Sequence, residues 1–197
     1  TLTVRMANDG EKLTTLDEQE RILSKNDIVI ADSQKAIGLA GVMGGLSTEV
    51  EDDTKNIVIE SAIFDSVKVR LTSKKILRSE ASNRFEKGLD PKRTLMAMQR
   101  SCHLLQKYAD ATIVGGMCEY NKANSDDRVI EVTFEKIRNV LGIEIPNDAI
   151  LDILRRLRLE AKVDGEKLIV NIPSRRWDIQ IKEDLIHDIG RFYGMDN

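Results

Sequence analysis

The chain has 197 residues, of which 41% are hydrophobic and 32% charged, and its net charge is −3. This length suits one large or two small domains, and the mild negative balance excludes a global basic field for nucleic acid. Aromatic residues make up only 4%, which argues against a surface that stacks unpaired bases. No apolar run approaches the roughly 20 residues of a membrane span.

The first part reads as β-rich. Leu2, Val4 and Met6 alternate with polar residues as a strand, and Asn8-Asp9-Gly10 is a turn signal. A hairpin is expected from residues 14–16 and 21–23 about Asp17-Glu18. Residues 27–32 and 36–40 are short apolar runs and read as buried strands, the second feeding into Gly41-Val42-Met43-Gly44-Gly45. Residues 57–62 read as a third buried strand carrying Glu60, and residues 65–75 show no clear helical period. Asp90-Pro91 predicts a helix start, because Asp caps and Pro fits the first turn. Leu95, Met98, Cys102, Leu105 and Ala109 then recur at helical spacing, and residues 117–120 read as a closing strand.

Residues 121–127 have linker composition, which places a domain boundary near 122/123. Beyond it, residues 129–134 alternate as a strand. Residues 135–141 form a helix ended by Gly142, and Pro146-Asn147-Asp148 opens another. A hairpin follows, with strands at 161–163 and 168–172 about Asp164-Gly165-Glu166, then a loop at 173–178 and a last helix over 182–193. The expected class is α+β: a β-rich mixed module over 1–122, then a small winged-helix-like module over 123–197.

Several residues are candidates for chemistry. The cluster Gly41, Gly44 and Gly45 lets backbone approach a ligand, or makes a tight turn between strands; it lacks the Gly-Lys-Ser/Thr of a phosphate loop. Glu60, at the end of an apolar run, is either a ligand-reading acid or an edge residue pointing to water. Asp178, Glu183, Asp184 and Asp188 gather hard oxygen donors of the kind magnesium or calcium takes, although acids also favour a helix N-terminus for its dipole. His187, on the same helix, has no nearby Cys or His to make a zinc site. Arg155, Arg156 and Arg158, with Arg175 and Arg176, are two basic clusters that either meet RNA or are solvated. Cys102 and Cys118 fit no metal spacing and read as reduced thiols of a cytosolic protein. Two histidines leave no nucleophilic triad. The chain opens in a strand, with no signal peptide and no initiator methionine, and reads as a piece of a longer protein.

The stretches LAGVMGG, VIESAIF, LRSEASNRFEKGLDP and IPSRRWDIQIKEDLIHDIGRFYGMDN, in this order, resemble the family of bacterial phenylalanyl-tRNA synthetase β subunits. The resemblance covers essentially the whole chain. It implies an internal fragment: most of the editing module, then the small module that follows it. It further implies a cytoplasmic (αβ)₂ ligase that attaches phenylalanine to its tRNA. In that family ATP is used by the α subunit, and the β editing module hydrolyses tyrosine wrongly attached to tRNA(Phe). A phenylalanine pocket cannot strongly reject an isostere that adds one hydroxyl, so a second sieve is needed.

On this resemblance Glu60 is the tyrosine-reading acid. Ser79 borders the pocket, Ala81 leaves room for the ring, and Gly41, Gly44 and Gly45 bring backbone to the aminoacyl group. Water would do the attack, with no catalytic side chain assigned. A magnesium site shared with the α subunit falls on Asp178, Asp184, His187 and Asp188. Two departures are visible. His187 stands where the family usually has glutamate, and imidazole is a poor magnesium ligand. One residue is missing just before Leu77, in Lys74-Lys75-Ile76-Leu77, which can shift the loop carrying Ser79. The other reading open from the residues is a non-catalytic module for tRNA binding or subunit docking.

Overall fold

A computed structural model describes residues 1–194. The chain divides into two compact units, Thr1–Leu89 with Arg93–Gly116, and Asp90–Lys92 with the chain from Met117 onward. The fold is α+β, and its strands pair antiparallel.

The first unit holds strands β1 (Thr3–Met6), β4 (Ile28–Ala31), β5 (Ala36–Leu39) and β6 (Met43–Gly44) in one sheet, in that spatial order. β2 (Lys12–Thr14) and β3 (Glu20–Ile22) form the expected hairpin, tied to the larger sheet by a bridge between Thr15 and Gly45. Alternation buries Val29 and Ala31 of β4, and Val29 meets Leu39, Leu13, Leu23 and Val42 in a small core. A shift in register between Ile30 and Ala31 marks a bulge against β5.

Three helices follow: α1 (Ser66–Lys75), α2 (Glu80–Phe85) and α3 (Arg93–Ala109). α1 forms where no helical period was expected. Asp65 caps it by accepting from the Lys68 amide at 2.9 Å, and its buried positions are Val69, Thr72 and Ser73. Polar residues on the inner face and exposed Val67 and Leu71 on the outer face hide the period in the sequence.

Three expectations fail before the second unit's sheet begins. Residues 57–62 belong to no strand, with Ile57 51% and Val58 79% exposed; among the described residues no strand pairs with the run, so its apolar composition does not bury it. Residues 117–120 are likewise outside any strand. Asp90-Pro91 does not start the helix, which begins at Arg93. The Asp90 carboxylate instead accepts from the Lys92 amide at 3.1 Å and the Ser174 hydroxyl at 2.8 Å, a local turn rather than a helix cap. The apolar face of α3 is where the spacing put it, but Met98, Cys102 and Leu105 are only half-buried.

The second unit follows its sequence pattern closely. β7 (Arg128–Thr133), β9 (Lys167–Ile172) and β8 (Glu160–Asp164) make a three-stranded sheet in that order. One face packs on α4 (Phe134–Leu141), α5 (Asn147–Arg156) and α6 (Lys182–Tyr193). Thr133 caps α4, and Gly142 ends it in the left-handed conformation at φ 70°. The core is continuous, from Ile130 and Phe134 through Ile150 and Leu154 to Leu185 and Ile189. Among the described residues, no helix is long and apolar enough to cross a membrane.

Candidate functional site

The glycine cluster is the turn and second strand of the β5–β6 hairpin. Gly41 sits at φ +69°, a conformation that favours glycine, and Val42 closes the turn by donating to the Leu39 carbonyl at 3.0 Å. A Cβ at Gly41 would lie 3.1 to 3.3 Å from Val69, Phe85 and Phe64, so three segments crowd this one backbone position. Gly45 is more constrained still: a Cβ there would fall 2.4 Å from the Ile37 carbonyl oxygen, to which the Gly45 amide donates at 2.9 Å. Gly44 accepts from the Leu16 amide at 3.1 Å. Of the two readings open for these glycines, the geometry is that of the tight turn, with the Val42 and Gly45 amides already used inside the hairpin.

Ser79 joins this hairpin to α2. Its hydroxyl donates to the Val42 carbonyl at 2.6 Å and accepts from the Ser82 amide at 3.1 Å. Ser82 closes a reciprocal box, its own hydroxyl accepting from the Ser79 amide at 2.9 Å. Two motifs 37 residues apart thus meet at one hydrogen bond. Ala81, two residues on and the second residue of α2, is half-buried.

The segment that carries Glu60 is anchored through the residues that follow it. One residue on, the Ser61 hydroxyl donates to the Thr94 carbonyl at 2.7 Å. Four residues on, Phe64 packs on Phe85 of α2 with ring centroids 5.5 Å apart, beside Gly41. Glu60 reaches solvent, yet enough protein surrounds its carboxyl that desolvation raises its pKa above the ordinary carboxylate value. Among the described residues, neither hydrogen bond nor ion pair holds it.

The acidic residues of the second unit are arranged differently from the expected metal set. Arg176 lies between two of them. Its Nε donates to Asp178 Oδ1 at 2.9 Å and its Nη2 to Asp178 Oδ2 at 2.6 Å, a two-pronged grip; Nη2 also donates to Asp188. Arg191 meets the other Asp188 oxygen at 3.3 Å. Asp184 turns to the backbone, accepting from the amides of Gln180 at 2.8 Å and Ile181 at 3.1 Å, and so caps the start of α6. His187 is exposed. Asp178 is held below the usual carboxylate range by its bond to Arg176, and Asp184 by the Gln180 and Ile181 amides. Among the described residues no group of three His, Cys, Asp or Glu is placed to hold a metal ion. As folded, this donor set is a poor match for magnesium, because guanidinium groups engage both oxygens of Asp178 and of Asp188 and amides take one oxygen of Asp184.

The arginine clusters are also largely used within the unit. Arg155 and Arg156 share Asp152, and Arg175 donates to the Arg158 carbonyl at 2.7 Å beyond the end of α5. The basic surface lies elsewhere: a shallow groove of about 230 Å³ lined by Glu131, Val132, Thr133, Lys136, Lys167 and Lys182. Among the described residues none of these lysines is in an ion pair. They are far apart in sequence, so no local charge run announces them. Arg176 as partner of Asp178 was missed in the sequence, where it read as part of a basic cluster, although a spacing of only two residues is a signal that could have found it. Both cysteines are free thiols.

Two domain families match the chain in register with its two halves. Residues 1–110 match the B3/4 domain and residues 130–195 the tRNA synthetase B5 domain. The chain belongs to the B3/4 domain family. Along its whole length it is similar to phenylalanine–tRNA ligase beta subunits. That of Staphylococcus haemolyticus (strain JCSC1435) is 47% identical over 99% of this chain and 24% of the relative. That of Staphylococcus aureus (strain bovine RF122 / ET3-1) is 44% identical over 100% of this chain and 25% of the relative. The chain therefore spans about a quarter of the length of these relatives. A crystal structure of an N-terminal fragment of the phenylalanyl-tRNA synthetase beta subunit from Pyrococcus horikoshii aligns with TM-score 0.45 and 13% identity, over 96% of this chain and 55% of that one.

Proposed function

We propose that this chain is the part of a phenylalanine–tRNA ligase β subunit that removes tyrosine from mischarged tRNA(Phe) and docks to the α subunit. Residues 1–122 form the larger share of the editing module and residues 123–197 the winged-helix-like module. The whole enzyme is a cytoplasmic (αβ)₂ ligase whose α subunit uses ATP. The observation that carries the editing reading is Glu60, a carboxyl with raised pKa and no partner of its own among the described residues, on a segment anchored beside the Gly41–Phe85 contact.

The chemistry follows from what a second sieve needs. Tyrosine differs from phenylalanine by one hydroxyl, and Glu60 hydrogen-bonds it. A phenylalanyl group would leave that partly desolvated acid unpaired and is disfavoured. Ala81 leaves space for the ring. Ser79 is a positioning residue: its bond to Val42 sets α2 against the glycine hairpin. Gly41, Gly44 and Gly45 keep the hairpin backbone close and free of side chains. Water, oriented by the pocket and the tRNA end, attacks the ester carbonyl; the bond from that carbon to the tRNA ribose oxygen breaks, the ribose oxygen takes a proton of the attacking water, and tyrosine is released as its carboxylate with the other proton passing to solvent.

In a complete α/β enzyme, Glu60→Ala should slow deacylation of tyrosyl-tRNA(Phe) by about 10- to 100-fold, the loss of one hydrogen bond to a charged group. Phenylalanine attachment should be unchanged. Undiminished deacylation would remove Glu60 from the site. It would favour instead a non-catalytic docking or tRNA-binding module, a reading supported by the lysine-lined groove between β7 and α6.

A further inference from the structure

We propose that Arg176 is the resident cation of the acidic site on the second unit, occupying by its guanidinium the place a divalent metal would otherwise take. The inference is independent of the editing reading. Three features carry it. First, one guanidinium serves both carboxylates: it grips Asp178 through Nε at 2.9 Å and Nη2 at 2.6 Å, and the same Nη2 donates to Asp188. Second, the Arg176–Asp188 half of the site is buried, while Asp178, 51% exposed, forms its open edge. Arg176 and Asp188 side chains are 16% and 9% exposed, and the remaining Asp188 oxygen faces Arg191. Third, the charges balance, two carboxylates against two guanidinium groups. A divalent ion added without expelling Arg176 would sit against a fixed positive charge.

Arginine suits this role where lysine would not. Its planar fork matches a carboxylate edge, and it stays protonated at any pH the fold survives, so the site cannot be cleared by losing a proton. The other neighbours reinforce the arrangement. Asp184 spends its oxygen on the Gln180 and Ile181 amides, and His187, exposed on α6, offers a soft nitrogen unsuited to a hard cation. Arg176 lies on the loop before α6 and Asp188 in the middle of that helix, so the bond pins one to the other without a metal.

Manganese, read by the loss of its free-ion electron paramagnetic resonance signal, is the probe, applied to the full chain. Wild type and Asp188→Asn should bind it equally, since neither presents an open pair of carboxylates. Arg176→Gln should gain a site at least about tenfold tighter than any in wild type, because removing the guanidinium leaves two adjacent carboxylates with one cation fewer. It should also melt lower than wild type in chelator and recover when magnesium is added, whereas the wild-type midpoint should not respond to magnesium. Wild-type binding that disappears in Asp188→Asn would overturn the proposal, as would equal binding by wild type and Arg176→Gln. If Arg176→Gln does not fold, the wild-type and Asp188→Asn pair decides alone: equal binding supports the proposal and a loss refutes it.

Discussion

The two units are held together in different ways. The second buries one continuous apolar cluster to which every strand and helix contributes, including Phe134, Ile137, Ile150, Leu154, Leu168, Ile186 and Ile189. The first has a smaller cluster, in which Ala7, Ala36, Val29 and Val42 are compact residues. It adds polar joints at defined points instead. Asp27, whose side chain is 3% exposed, accepts from the Thr72 hydroxyl at 2.7 Å, the Ser24 amide at 2.8 Å and the Ser24 hydroxyl at 2.9 Å, with Lys75 at 3.5 Å. Ser79 reaches Val42, and Arg5 grips Glu11. Apolar burial is non-directional and tolerant; a hydrogen bond fixes a register. A unit whose parts are set by directional bonds can leave an acid such as Glu60 with neither hydrogen bond nor ion pair among the described residues. A unit filled by apolar side chains makes a rigid block.

The largest effect should come from opening the second core. Leu154 is fully buried in this cluster, and Leu154→Ala should cost about 2–5 kcal/mol, the transfer term plus a cavity. Denaturant unfolding should show the loss in the second unit's transition. A loss below that of a surface substitution would mean that this core is not the continuous block described. Next comes the main polar joint of the first unit. Burial pushes the Asp27 carboxyl up, but its bonds to Thr72 and Ser24 and the charge of Lys75 outweigh this and hold it below the usual range. Asp27→Ala strands the Thr72 hydroxyl and should cost about 1–3 kcal/mol, with faster amide exchange along α1. If α1 exchange is unchanged, the joint does not secure the helix.

The same contrast explains what could be read from sequence. In the second unit, alternation in β7 and β9 and the three-four spacing of α5 and α6 point directly at the core, so elements and caps appear where the pattern puts them. In the first unit the inner face of α1 is Val69, Thr72 and Ser73, and a hydrophobic period cannot reveal a partly polar face. The run at 57–62 misled in the opposite sense. Its composition is that of a buried strand, but a strand needs a pairing partner, and none pairs with it among the described residues. For the site, residue types were legible and contacts were not. Nothing near Ser79 points to Val42, because the bond joining them depends on how the hairpin meets α2. The acidic set was legible as carboxylates, yet their partner Arg176 was read as part of a basic cluster.

The smallest expected effect tests whether the first unit's polar joints contribute stability one by one. Glu11 is held at about 2 by its hydrogen bonds to Arg5 and, more weakly, to the Asn8 amide, against a desolvation effect of opposite sign. Its ordinary value is 4.5, so the folded form releases this proton more readily than the unfolded chain does. The contribution is therefore fully present above pH 4.5 and is lost as pH falls from there through about 2. Because Arg5 is part-exposed and screened, Glu11→Gln should cost about 1 kcal/mol or less near neutrality. That difference from wild type should shrink through this acid window and vanish at its lower end. A Glu11→Gln deficit that stays constant from neutral to acid pH would show that the side chain acts by packing rather than by charge. The first unit would then be less dependent on its ionic joints than its geometry indicates.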